Sequence, residues 1–237
     1  MKNERFWEID ALRGLAIINM VIFNYSFALS YLGITNLDLG LTYAVSIAST
    51  FIFLSGVSLT LSYNQLRKGY HREFFSRGLK IFGWGVVITI VTFLAFPRAF
   101  IVFGILHFIG VSIILGQFFL KFKKINLFLG IFIILLGIYL QSFRFDFSWL
   151  LWLGFTPQYF YTFDYFPLLP WFGVTLLGIS FGNIFYEKGK RNFKIKDLSD
   201  NFVIKIMTFL GRNSLKIYLL HQPFLILVLL LLGFKLF

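Results

Sequence analysis

Two histidines and one amide stand inside otherwise apolar stretches: His107 in FGILHFIG, His221 in GRNSLKIYLLHQP and Asn24 in RFWEIDALRGLAIINMVIFN. Imidazole changes charge near neutral pH and burial makes that charge expensive, so a histidine at membrane depth is a candidate base, acid or proton carrier. The same ring held neutral by two hydrogen bonds between helices is an ordinary packing device, and both readings stand. Gly104 and Gly110 flank His107 at three residues on either side, which lets a backbone or a ligand approach its face. Around His221, the residues Ser214, Tyr218 and Gln222 share its helical side. Pro223 lacks the N–H that the Leu219 carbonyl would otherwise accept. His71 lies in a basic loop and is expected to be solvated.

A second set precedes Asn24. At about 1.5 Å and 100° per residue, the helical path from Arg13 to Asn24 climbs roughly 16 Å and comes back to within about 20° of the same side. Asp10 falls within about 60° of it. One face thus carries carboxylate, guanidinium and amide, with Ile17 and Met20 between them. Polar groups at membrane depth must meet protein or water, so this face is expected to point inward. The plainer roles are a helix-dipole partner for Asp10, an orientation signal for Arg13 and an interhelical hydrogen bond for Asn24.

The elements that position these groups follow from composition. Of 237 residues, 58% are hydrophobic and only 14% charged. The mean hydropathy is +0.81, which excludes a soluble domain of this length. Apolar runs able to cross a core of about 30 Å occur at 12–32, 40–62, 79–96, 101–120, 125–142, 166–186 and 213–235. The expected fold is all-α: a polytopic transmembrane helical bundle of about seven spans, a single domain over 1–237. SWLLWLGF at 148–155 is too brief to cross and reads as a re-entrant or interfacial segment. The first stretch has no small-residue cleavage site and reads as a retained span.

Charge sets the expected topology. Of 22 lysines and arginines, only Arg98, Arg144 and Lys235 fall in segments on the side opposite the amino terminus. The positive-inside rule then places the amino terminus in the cytoplasm and the carboxyl terminus outside, in a plasma (inner) membrane. This distribution explains the net charge of +12 by topology in a lipid bilayer, with no call for nucleic acid. The basic loop 187–212 has room for a short surface helix. The aromatic loop 143–165 suits an outer belt. Ser46, Ser49, Ser55, Gly56 and the Gly178–Gly182 pair mark close helix approach. There is no cysteine, and no histidine pair has metal-ligand spacing, so no metal is expected. Neither a phosphate-binding glycine loop nor a serine nucleophile elbow is present.

Five segments in one order, RFWEIDALRGLAIINMVIFNY, FIFLSGVSLTLSY, FGILHFIGVSIIL, DYFPLLPWFGVTLLGISFG and GRNSLKIYLLHQP, resemble the heparan-α-glucosaminide N-acetyltransferase catalytic-domain family in its short prokaryotic branch. The resemblance covers nearly the whole chain. It implies a membrane helical bundle that takes an acetyl group from cytosolic acetyl-CoA and passes it to a sugar amine across the membrane. It makes Asp10, Arg13 and Gly14 the entry motif, Asn24 the active-site amide and His221 a motif histidine of the last span. One departure stands out: the animal members have a catalytic histidine in the first outer loop, and GITNLDLG at 33–40 has none. Either His107 supplies the base, or this branch does different chemistry, or none.

Acyl transfer from a thioester needs a base near the acceptor and donors for the developing oxyanion. The expected catalytic set is His107, Asn24 and His221. Arg13, Asp10, Arg67, Lys68, Arg72 and Arg77 are expected at the acetyl-CoA end, where cations would hold its phosphates. The acceptor would be a small molecule or glycan, free or lipid-linked, and a homodimer is an open expectation. A transporter or flippase with a polar intramembrane path, and a noncatalytic scaffold, remain the alternatives.

Overall fold

The computed structural model describes residues 5–37, 39–66 and 69–233. These form eight α-helices and no strand: α1 Trp7–Tyr31, α2 Gly40–Leu66, α3 Tyr70–Ala95, α4 Ile105–Gly116, α5 Lys124–Leu140, α6 Leu168–Phe185, α7 Phe202–Arg212 and α8 Ser214–Leu231. Arg67 and Lys68, expected at the acetyl-CoA end, lie outside the described residues.

Five helices, α1, α2, α3, α6 and α8, are long and apolar enough to cross a membrane, where the sequence suggested about seven. The runs 101–120 and 125–142 instead give α4 with 12 residues and α5 with 17. At about 1.5 Å per residue α4 reaches roughly 18 Å, well short of a core of about 30 Å, and α5 roughly 26 Å, one residue less than α6 and α8. For α4 the shortening has a local cause. Residues before Ile105 are extended and pair with the segment ahead of α6, where the Phe163 and Phe166 N–H groups donate to the Ala99 and Phe103 carbonyls at 3.1 and 2.9 Å. The stretch 148–155 holds only a 3₁₀ turn, Leu151–Leu153, with Trp149 and Trp152 exposed beside it. The surface helix expected in loop 187–212 is α7.

The chain divides into two compact units. The first takes residues 1–51 and 195–237, which brings together α1, the first half of α2, α7 and α8. Its core is Ile17, Met20 and Ile47, packed by Phe23, Tyr43, Leu210, Ile217 and Tyr218. The second takes residues 52–194, with the rest of α2 and α3 to α6. Ile52, Val57, Phe74, Phe108, Leu176 and Ile179 are buried to the last atom or nearly so there.

Lipid tails are as apolar as leucine, so helices in a membrane associate through close packing and not through expulsion from water. Glycine allows that closeness in the second unit. A Cβ on Gly56 would sit 2.3 Å from the Thr175 carbonyl oxygen, and one on Gly178 would sit 2.2 Å from that of Phe53, so α2 and α6 touch backbone to backbone. Thr60 Oγ1 adds a hydrogen bond to the Ile179 carbonyl at 3.3 Å. Gly83 on α3 meets nothing within 4 Å. Gly178→Ala is therefore expected to destabilise the protein by on the order of 1–3 kcal/mol through overpacking. Gly83→Ala should be neutral or stabilising by up to ~1 kcal/mol through helix propensity. Thermal unfolding of the two variants in detergent compares them.

Candidate functional site

In the first unit the site begins where α1 meets α7. A Cβ on Gly14 would lie 1.9 Å from the Met207 carbonyl oxygen, and one on Gly211 would lie 1.9 Å from that of Asp10, so each position excludes any other side chain. This contact presses the first turns of α1 onto the end of α7. It brings Arg212 to the Asp10 carboxylate that Arg13 on α1 also holds: Arg13 Nη1 donates to Oδ1 at 3.1 Å and Arg212 Nε to Oδ2 at 3.1 Å. Asp10 is buried and Arg212 is half exposed. Charge-assisted bonds to both oxygens let a carboxylate stay buried here, beside the positive end of α1.

From this cluster α1 and α8 run side by side in the same direction. Asn24 lies eleven residues beyond Arg13 on α1 and Gln222 eight beyond Ser214, the first residue of α8, so the two amides arrive at one level, roughly 12–16 Å along the axes. There Gln222 Nε2 donates to Asn24 Oδ1 at 3.5 Å, and Asn24 Nδ2 returns one hydrogen to the Met20 carbonyl at 2.9 Å. His221 stands next to the pair. Its Nδ1 lies 2.6 Å from the Tyr218 carbonyl, an acceptor only, so Nδ1 carries the proton. Nε2 is therefore a bare lone pair. It is buried and has no hydrogen-bond partner among the described residues. Tyr25 stacks along the ring at 6.3 Å between centroids, and its hydroxyl donates to the His221 carbonyl at 3.0 Å. One turn to the rear, the Tyr43 hydroxyl donates to Asn19 Oδ1.

The second unit holds His107, the third residue of α4. Its Nδ1 accepts from the Gly104 N–H at 3.2 Å, which leaves the proton on Nε2, 3.4 Å from Thr89 Oγ1. Thr89 in turn donates to the Ile101 carbonyl at 2.6 Å. Phe103 stacks on the ring and Phe82 meets it edge-on, and a Cβ on Gly85 would lie about 3 Å from its atoms. The imidazole is fully engaged in holding the start of α4. Beside it, Asp164 Oδ2 accepts the Ile105 N–H at 2.9 Å and fills the space where Gly104 has no side chain. Burial pushes the Asp164 carboxyl up from 3.8 to about 6, against the Ile105 bond, which pulls it down. Arg72 and Arg77 are exposed on the first turns of α3.

The expected residues thus fall into two sets. Asp10 and Arg13 share one ion cluster, and Asn24 and His221 share one level of the α1–α8 pair. His107, Arg72 and Arg77 belong to the other unit. Sequence reasoning passed over Arg212, counted only as a loop charge, and over Tyr25 and Asp164. The signal for Asp164 was scarcity: with ten acidic residues in the chain, one set among aromatics just ahead of a span is unusual. Among the described residues no group of three or more His, Asp or Glu gathers as a metal site would require.

Residues 5–223 match the family model described as "Heparan-alpha-glucosaminide N-acetyltransferase, catalytic". The chain belongs to that family, and with its apolar helices it is a multi-pass membrane protein of the membrane acetyltransferase class. Neither the curated proteins nor the solved structures contain a match to it.

Asp164 makes a pH prediction. Its folded value of about 6 exceeds the ordinary 3.8, so between these values the folded state holds more of the proton than the unfolded state. Stability is then highest below about pH 4 with respect to this group and falls as pH rises to about 6. Asp164→Asn keeps an acceptor for the Ile105 N–H and should flatten that slope. Melting temperatures of both proteins across this range check it.

Proposed function

We propose, from membership of the heparan-α-glucosaminide N-acetyltransferase catalytic family, that this chain moves an acetyl group from acetyl-CoA to an amine or hydroxyl of a saccharide or lipid-linked acceptor. The observation that carries the reading is His221, whose Nε2 lone pair is buried and unpartnered while Nδ1–H is held by the Tyr218 carbonyl. That is the tautomer a general base needs, with the ring oriented by the opposite nitrogen.

In this reading Nε2 takes the proton from the acceptor N–H or O–H as the acceptor atom attacks the thioester carbonyl carbon. The negative charge that forms on the carbonyl oxygen is met by amide hydrogens of the Asn24–Gln222 pair. Asn24 Nδ2 gives only one of its two hydrogens to Met20. The tetrahedral species collapses, the carbon–sulfur bond breaks, and the His221 proton passes to the CoA thiolate. Acetyl-CoA and acceptor thus become acetylated acceptor and CoA with no proton left over.

Arg13 and Arg212 supply the cationic end of this unit for the CoA phosphates. Asp10 fixes both and tempers their charge. The positive-inside distribution supports a cytosolic setting for that end. His107, with both ring nitrogens engaged, takes the structural part of holding α4.

The test is His221→Asn, whose side-chain amide can still donate to the Tyr218 carbonyl but has nothing in place of Nε2. Turnover of labelled acetyl-CoA with an amino sugar should fall by about 10²–10⁴-fold. Melting temperature and acetyl-CoA binding should stay close to those of the parent. Acetyl-CoA should raise the melting temperature of the parent protein, and Arg13→Ala should lose most of that rise. Undiminished turnover in His221→Asn removes the base assignment, and acceptor flux into vesicles without acetyl transfer would replace the enzyme by a transporter.

A further inference from the structure

The sequence pattern and packing of α7 point away from the reaction, to the membrane surface. With 11 residues the helix is about 16 Å long, too short to cross. It starts at Asn201, whose side chain caps the Val203 and Ile204 N–H groups, and it stops at Asn213, directly before the spanning helix α8. One face is committed to α1: Gly211 lies against the Asp10 carbonyl and Thr208 is buried. The opposite face carries Phe202, Val203, Ile206 and Phe209, with 75%, 56%, 42% and 65% of their surfaces open. At 100° per residue these four share one side of the helix, and Lys205 and Arg212 border it. Lys205 pairs with the fully exposed Asp200, and Lys196 and Lys216 are exposed nearby in sequence.

We infer that α7 lies in the plane of the membrane interface, with its Phe202–Phe209 face sunk at the headgroup–acyl boundary and its lysine edge on the phosphates of anionic lipids. Two observations select this occupant. The helix carrying the apolar face ends one residue before α8, a spanning helix whose first turn lies where a bilayer surface must pass. Its border is basic, which suits an anionic leaflet. Through Gly211 and Arg212 the leaflet then fixes the depth of the Asp10–Arg13 entry, because α7 cannot rise or sink without moving α1. The inference holds whichever reaction the chain performs.

The absence of cysteine makes the test direct. Phe202→Cys, Lys205→Cys, Ile206→Cys and Phe209→Cys each carry one nitroxide, and the full chain is placed in phosphatidylcholine vesicles with or without phosphatidylglycerol. Power saturation should find positions 202, 206 and 209 open to oxygen and shielded from a water-soluble nickel chelate, and position 205 the reverse. Phosphatidylglycerol should raise the melting temperature of the unlabelled protein, and Lys205→Gln with Lys216→Gln should lose most of that rise. Nickel access at all four positions overturns the inference, as does dipolar broadening between copies or shielding of all four from both relaxants, which would assign the face to a second copy or to a protein partner. Equal melting in the two lipids overturns the anionic half.

Discussion

Backbone contact between helices, made possible by missing side chains, is the constraint on which the rest depends. Gly14 and Gly211 bring α1 and α7 so close that a single added carbon would overlap a carbonyl oxygen. In a solvent as apolar as the helices, such contact gathers dispersion and dipole interactions that nothing else supplies. Its consequence is electrostatic. Only at this distance does Arg212 of α7 reach the Asp10 oxygen opposite the one held by Arg13, its neighbour one turn on along α1, and only so paired can that carboxylate be buried at the mouth of the helix.

Everything beyond the cluster inherits its register. Two helices pinned at one end and running in the same direction keep their residues level, which is why Asn24 and Gln222 meet and why His221 lies beside them. Among the described residues of this unit, Trp7 Nε1 and Thr35 Oγ1 are the other buried side-chain polar atoms without a partner, and the groups around His221 are matched. Tyr25, Tyr43, Asn19 and Asn24 each have a partner, and His221 spends its proton on a neighbouring carbonyl. Against that background a buried nitrogen without a partner carries a real cost, of about 1–3 kcal/mol for a group of this kind. A cost retained at the level of two amides is what a site for an incoming hydrogen-bond donor looks like.

The two intramembrane histidines are the same side chain in opposite service. His107 accepts a backbone N–H at one nitrogen and faces a threonine with the other, between two phenylalanine rings. His221 faces a carbonyl with one nitrogen and nothing with the other. The difference lies in what each helix presents. At the start of α4 the free N–H of Gly104 seeks an acceptor, whereas inside α8 the ring meets a carbonyl one turn back, which can only accept. A donor at Nδ1 frees Nε2, and an acceptor at Nδ1 commits both.

From the sequence alone, the membrane class, the all-helical fold and the family were legible, because they rest on hydropathy, helical period and ordered motifs. The number of crossings was not. The run that becomes α4 is mostly apolar, and hydropathy registers no difference between a helix and an extended segment paired with a distant loop. Nor could the sequence separate His107 from His221, since a histidine's tautomer is set by whichever backbone group lies within hydrogen-bonding reach of it. Arg212 shows the same limit from the other side: as a loop cation it was one among many, and tertiary contact made it a partner of Asp10. Local periodicity determines what each helix can bury; which atoms then lack partners is decided only when two backbones touch.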